Sequence, residues 1–450
     1  MSRATQRRSG AKLHRFESLI DWQAQNNESI TASMRHLEKN AMKKNRQRRL
    51  AGLAAVASVA TAAHAPAFAQ SSVTLYGIVD NGIGYQSSST TLGSTSGGHS
   101  AFKMITGVWA GSRFGLKGAE DLGGGTKAIF TLEEGFSANS GAMSTTNLMF
   151  SRQAFVGVTN GTYGTLTAGR QYASYYQLLS PYSPTTWLTG FYGAHPGDVD
   201  GLDTIYRANN TLLYMSPQLY GFKFSGSYSL AGVPGSVNQG STWSTAIQYA
   251  QGPVGIAVGF SRINNSTVGG GAFGTDSTTS NAGAQTGVSA VTNGYRTAQA
   301  QQRFAVGAGY TFNSQFDITA TYTNVQYIPG AGSSFRDEAI WNTGGIVLHW
   351  KPTAAWDFAT GYSYTRATKA NGITSSAQYQ QFNLSEYYSL SKRTGLYALE
   401  AYQRANGQTL GNNGAGNIIN ATATLGDGFN STPSSSRSMV GVGVGIVHRF

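Results

Sequence analysis

The chain has 450 residues, with 58 glycines, 24 tyrosines, no cysteine and 12% charged side chains, a composition foreign to disordered chains and to typical soluble enzymes. The net charge of +12 gives little support to a nucleic-acid partner: residues 1–69 hold 12 basic and 4 acidic side chains, which leaves 20 and 16 after them, a net of +4. Lack of thiols fits an envelope compartment, where a stray cysteine risks unwanted pairing.

Taken in chain order, Met42-Lys43-Lys44-Asn45-Arg46-Gln47-Arg48-Arg49 is a basic n-region. An Ala-rich apolar run from Leu50 to Ala63 and an A-x-A site, Ala67-Phe68-Ala69, follow it. The run is short of the ~20 residues a spanning helix needs. Residues 42–69 therefore read as a signal peptide cleaved near Ala69. Residues 1–41 read as an extension upstream of a true start at Met42, the alternative being a genuine long leader.

From Val73 onward, Val, Phe, Leu and Ile alternate with Gly, Thr, Ser and Tyr. Val254-Gly255-Ile256-Ala257-Val258-Gly259-Phe260 is the cleanest example. Period-two alternation puts one set on each face of a sheet. Sixteen such runs predict strands at 73–85, 101–117, 126–136, 150–159, 165–170, 211–216, 222–229 and 242–251, then 254–263, 303–312, 316–327, 341–350, 355–368, 379–389, 395–405 and 438–450. Short turns rich in Gly, Pro and Asn alternate with long polar segments at 86–100, 137–149, 171–210, 230–241, 264–302, 328–340, 369–378 and 406–437. A sandwich has no reason to keep its short and long connections on separate sides. A membrane barrel does, with apolar side chains to lipid and small or polar ones to a water-filled lumen. The expectation over residues 70–450 is an all-β, 16-stranded antiparallel transmembrane β-barrel.

Phe304, Val306, Ala308, Tyr310 and Phe312 share the lipid-facing parity, and Phe312, Phe316, Trp350, Trp356 and Tyr388 cluster beside short turns as an interfacial girdle. Glu386 falls on the apparent outer face, as is tolerable where a strand meets a partner subunit. Sixteen strands enclose a lumen wide enough for water, so selectivity needs a constriction. Segment 171–210 is the candidate: Tyr175, Tyr176, Tyr182, Trp187, Phe191 and Tyr192 give it a core of its own, and it ends on Asp198, Asp200 and Asp203.

Several blocks resemble the general porins of beta-proteobacteria. They are Ser72-Val-Thr-Leu-Tyr-Gly-Ile-Val-Asp80, Ser112-Arg-Phe-Gly-Leu-Lys-Gly-Ala-Glu-Asp-Leu-Gly-Gly-Gly125, Ser151-Arg-Gln-Ala-Phe-Val-Gly157, Ala168-Gly-Arg-Gln171, Tyr206-Arg-Ala-Asn-Asn210 and the ending Val447-His-Arg-Phe450. The resemblance implies a homotrimeric outer-membrane pore for passive diffusion of ions and small hydrophilic solutes, a 16-stranded barrel with an inward-folded third loop. Wall arginines would face acids of the third loop. Carried over, the basic side is Arg113, Arg152 and Arg207, with Arg170 a neighbour. The acidic side is Asp198, Asp200 and Asp203, joined by Glu133, which shares its strand's inner face with Lys127. Parity places Arg113 and Lys117 inward, opposite Phe114 and Leu116; Arg152 goes inward if Phe155 faces out. The acidic side departs from enterobacterial relatives, which place a glutamate after the loop proline where this chain has Pro196-Gly-Asp-Val-Asp200.

Phe450 is expected to act as an assembly signal for the outer-membrane barrel assembly machinery. Outer-membrane lipid and lipopolysaccharide are the expected surroundings. No enzyme, cofactor, metal or nucleic-acid partner is expected: His99, His195, His349 and His448 sit in no nucleophile or metal pattern and read as surface polar groups. The competing function is a substrate-selective channel of the same fold for a sugar, phosphate or carboxylate.

Overall fold

A computed structural model describes residues 72–91, 94–203, 207–271, 291–427 and 433–450. The expected signal peptide and the extension before it lie outside the described residues. Among the described residues the chain forms one closed antiparallel sheet of seventeen strand segments, plus a two-stranded ribbon, Gln408–Gly411 with Gly414–Asn420, in the last long loop. Two of the segments, His99–Thr106 and Arg113–Gly123, share one place in the wall, both beside Ser72–Ser89. Seventeen segments thus make a sixteen-stranded barrel. It closes where Ser72–Ser89 meets Ser438–Arg449, in register from Ile78↔Arg449 to Gln86↔Gly441. Closure leaves no edge with unpaired backbone groups, which lipid would not tolerate.

The second strand was expected unbroken over 101–117. Instead residues 107–112 leave the sheet, because Asp80 offers them a better set of partners. The Gly107 N–H donates to the Asp80 carbonyl (3.0 Å), the Ala110 N–H to the Asp80 carboxylate (2.7 Å), and the Ser112 hydroxyl to the same carbonyl (3.0 Å). Trp109 in this pouch packs on Tyr387 and Tyr397, ring centroids 4.6 and 5.8 Å away.

The outward set is apolar, as the alternation requires. Phe304, Tyr310, Phe312, Ile346, Leu348, Val442, Val444 and Ile446 are all exposed on the barrel's outside. Next to the short turns, Phe316, Trp350, Phe358, Trp356 and Tyr388 pack ring on ring, with centroids 4.7–5.9 Å apart, into the expected girdle. On the inside the small residues have a specific use. A Cβ added to Gly255 or Gly307 would collide with Tyr182, one on Gly361 with Leu188, one on Gly345 with His195, and one on Gly441 with Tyr192. All four intruders come from the segment between Gly164–Tyr172 and Arg207–Met215. That loop folds into the lumen and lies along the wall, and the inner glycines are its sockets.

Two short helices, Ser174–Leu179 and Thr185–Gly193, stiffen the loop, and the second is kinked at Thr189. Wall groups hold it along its length. The Tyr175 N–H donates to Ser244 Oγ (2.7 Å), the Ser385 hydroxyl to the Trp187 carbonyl (2.7 Å), and the Asn383 amide to the Tyr192 carbonyl (2.7 Å). Nearer the long-loop side, an apolar cluster fills one part of the barrel. Val291, Tyr295 and Ala298, Phe335, Ile373, Leu410 and Ala421 from the long loops pack on Tyr327, Trp341, Tyr379 and Val199.

Candidate functional site: an arginine cluster beside the inward loop

The three expected wall arginines meet at one place. Arg113 opens its segment just after the Asp80-held pouch, on inner parity with Gly115 and Glu133. Arg152 sits in a bend before the strand Gln153–Asn160, where its Nε lies 2.8 Å from Glu133 Oε1. Arg207 opens the strand after the loop, its guanidinium carbon 4.6 Å from the centre of the Tyr172 ring. The Tyr172 hydroxyl accepts from both Arg152 (3.0 Å) and Arg207 (2.8 Å), so one phenol ties the two guanidiniums together. The Tyr76 hydroxyl donates to Glu133 Oε2 (3.0 Å), and Lys117 Nζ stands 5.3 Å from the Tyr76 ring centre. Three guanidiniums and one carboxylate leave this cluster a net +2 before Lys117 is counted.

Several expectations need correction. Glu133 is no part of an opposing acidic side; it lies among the arginines, bound to Arg152. Arg170 points away from the lumen. It pairs with Ala154 on the outer face, donating to the Ser151 carbonyl and to Asn209 Oδ1, both at 2.7 Å. Plain alternation puts it there, on the parity of the outward Leu166 and Ala168; the bulge at Gly169 (φ +136°) shifts the register only toward the following strand. Phe155 and Gln153 face inward, paired with Thr131 and Glu133, while Val156 and Val158 are exposed outside. Arg152 reaches the cluster through the bend at 151–152 and not through strand parity.

The loop aspartates are spent on contacts within the loop and with the wall. Asp198, Asp200 and Asp203 are at most 8% exposed. A tight turn at Gly197 (φ +61°) and Asp198 (φ +48°) tucks the segment inward, and Val199 anchors it in the apolar cluster. The Asp200 carboxylate accepts from Thr323 (3.0 Å) and lies 2.5 Å from His195 Nδ1, while Asp198 accepts from the Asp203 N–H (3.0 Å). Burial, and then the neighbouring Asp203, Asp200 and Asp427, push the Asp198 carboxyl well above its ordinary range. Burial and Asp427 do the same to Asp203. Burial also works against Asp200, but the His195 beside it outweighs this and holds Asp200 below the usual range.

Two histidines expected at the surface are buried. His195 holds Asp200, and His349 bridges Asp317 (2.7 Å) and Asp357 (3.1 Å). Trp187 from the loop stacks on the His349 ring, centroids 3.4 Å apart. Sequence reasoning missed Tyr172, Tyr76 and this stack. Tyr172 had one signal, its place at the hinge between Arg170 and the loop, but the bulge before it hides its direction.

Residues 52–408 match a family model described as Gram-negative porin. The chain is 28% identical over 411 residues to outer membrane porin protein 32 of Delftia acidovorans, covering 88% of this chain and 99% of that one. It is 32% identical over 220 residues to an outer membrane porin protein of Bordetella pertussis, a match covering 44% of this chain and 56% of that protein's length. Among solved structures, an anion-selective porin from Comamonas acidovorans superposes with a TM-score of 0.60 at 22% identity, over 85% of this chain and all of the other.

Proposed function

The chain belongs to the Gram-negative porin family and is an outer-membrane channel for passive diffusion, and from that premise we propose that Arg113, Arg152 and Arg207 set its selectivity. The observation that carries this is an imbalance. Three guanidiniums, Arg113 itself only 5% exposed, surround one carboxylate, whereas the loop acids are engaged by His195, Thr323 and the loop's own N–H groups, and two of them are pushed toward the neutral form. Guanidinium groups stay charged at any relevant pH. A fixed positive patch on one side of a narrow lumen concentrates anions there and repels cations.

The preference for anions is therefore stronger than the near-balance of the mature chain, net +4, suggests. Reversal potentials in unequal KCl test it. Replacing the three arginines by glutamine should move the permeability ratio toward cations, and an unchanged ratio would mean they do not line the path.

A channel dedicated to sugars is disfavoured, because Tyr295, Tyr327, Trp341 and Tyr379 are spent in a packed cluster and offer no exposed track. A channel for small phosphates or carboxylates keeps some support from the arginines, whose planar forks match both. Saturable block of chloride current by millimolar phosphate would favour it over a general pore. Assembly as a homotrimer is part of the same proposal, on family membership. Cross-linking of the detergent-extracted protein should trap three copies and no more.

A further inference from the structure

Passive diffusion explains neither the charge buried beneath the inward loop nor the strain in the loop above it. His349 stands near the short-turn end of the strand Ala339–Trp350, the register partner of Asp317 on one side and of Ala359 on the other. Its Nδ1 lies 2.7 Å from Asp317 Oδ2 and its Nε2 3.1 Å from Asp357 Oδ1. A carboxylate only accepts, so both ring nitrogens donate, and a ring that does so is an imidazolium. A neutral ring would turn a lone pair on one of the carboxylates. The charges agree. The Lys351 ammonium donates to Asp357 Oδ2, so two cations meet two carboxylates only while His349 keeps both protons. On the next strand Tyr387 is the register partner of Asp357, and its phenol accepts from Arg449 (3.2 Å). The helix that covers the ring, Thr185–Gly193, brings no charged side chain of its own, and Asp203 lies against its Gly190.

The loop meets the imidazolium with one ring. Trp187 lies over it with 6° between the planes and 3.4 Å between the centroids, and the face of an indole attracts a cation. Two residues on, Thr189 has φ +61° and ψ 157°, a region that suits glycine and strains a β-branched residue. Its hydroxyl is buried with no hydrogen-bond partner. Such a conformation persists only where the neighbours enforce it. Leu188 in the Gly361 socket and the Ser385 hydroxyl on the Trp187 carbonyl supply part of that hold.

We propose that His349 is a positioning residue for the pore and supplies the rest of the hold. As an imidazolium it clamps Trp187, and with it the strained half of the inward loop, against the wall. The clamp is closed at low pH and opens as pH rises and the ring gives up a proton. The neutral ring leaves one carboxylate without its donor and the indole without its cation, and Thr185–Gly193 then leaves its seat from time to time. The proposal rests on the porin reading in that each unseating changes the width of the path and so the current.

Single-channel recordings of the full protein test this from about pH 5 to about pH 9, either side of the ordinary imidazole value of ~6.5. Brief current transitions should be rare at the acid end and about ten-fold more frequent at the alkaline end, the scale of one desolvated cation–π contact. His349→Gln and Trp187→Leu should each give the high frequency at every pH. Trp187→Phe, which keeps an aromatic face, should keep the pH dependence. A parent frequency that ignores pH, or either of the first two variants following the parent's profile, would overturn the proposal. Acrylamide quenching of Trp187 in detergent, taken as the difference between the parent and Trp187→Phe, needs no ion flow and should rise with pH. Constant quenching would sink the clamp even in a conducting pore. Rising quenching in a protein that does not conduct would uphold the clamp and sink the porin reading instead.

Discussion

At the scale of single residues, burial decides which charges count. Arg152 and Arg207 are held by the Tyr172 hydroxyl, and Arg152 also by Glu133, which Tyr76 orients from its other oxygen. At Asp198 and Asp203 burial and neighbouring carboxylates outweigh the hydrogen bonds they accept and push both toward the neutral form. This has a pH consequence whose sign is fixed by linkage. An acid whose folded pKa is raised takes up a proton on folding. The stability it contributes is full below the unfolded value of ~3.9 and is lost as pH rises through the raised folded value. Asp200, held low beside His195, runs the other way: its contribution is present above that unfolded value and is lost as pH falls through its folded value. Mild acidification from neutral, which stays above the range of Asp200, should therefore tighten the loop against the wall. Asp203→Asn should flatten that dependence. The temperature at which the barrel unfolds in SDS, followed against pH, is the measure, and a variant that keeps the parent's slope would contradict the assignment.

At the scale of elements, the inner glycines tie the strands to the loop. Gly307 stands where a Cβ would come 2.6 Å from Tyr182 Cβ. Gly307→Leu should cost about 1–3 kcal/mol, as overpacking does, and displace the first half of the loop. The expected readout is higher single-channel conductance together with a lower unfolding temperature; a normal conductance would mean that the loop stays seated. The last strand carries a second test. Phe450 exchanges two 3.0 Å backbone hydrogen bonds with Gly77, and a Cβ on Gly77 would strike the Phe450 ring. Deleting Phe450 should lower the yield of folded barrel while leaving the conductance of the folded fraction unchanged, and a normal yield would count against it. Element by element, the strands were legible because period two persists wherever one face meets lipid. What was hidden lies where that period is broken by one residue. The bulge at Gly169 hid the direction of Tyr172, the bend at 151–152 brought Arg152 in against its strand's parity, and residues 107–112 left the sheet. The fate of the aspartates was hidden for another reason. It depends on Val199 finding Tyr327 and Trp341, residues far along the chain.

At the scale of the whole barrel, the lumen is divided. The wall from Ala300–Thr311 to Thr394–Asn406 is covered by the inward loop on the short-turn side and by the packed long-loop cluster above it. Arg113 and Lys117 belong to the other part, on the inner face with Glu133 and Thr131, Lys117 standing beside Tyr76, while Arg207 lies at the boundary, at the base of the loop. A solute that avoids packed side chains must pass along this second part. Charge should therefore matter there and not on the covered side. Arg303 is the matching control: it is 2% exposed and donates to Gln301 Oε1 (2.9 Å) and the Val199 carbonyl (3.4 Å), so it supports the loop anchor. Lys117→Glu should shift the reversal potential toward cations, more at low salt than at ~0.15 M, where the Debye length is about 8 Å. Arg303→Gln should lower the unfolding temperature by removing a buried charged hydrogen bond, of order 1.5–3 kcal/mol, and leave the permeability ratio where it was. The opposite pattern, selectivity changed by Arg303 and untouched by Lys117, would put the path on the side of the barrel where the loop and the apolar cluster leave it no room.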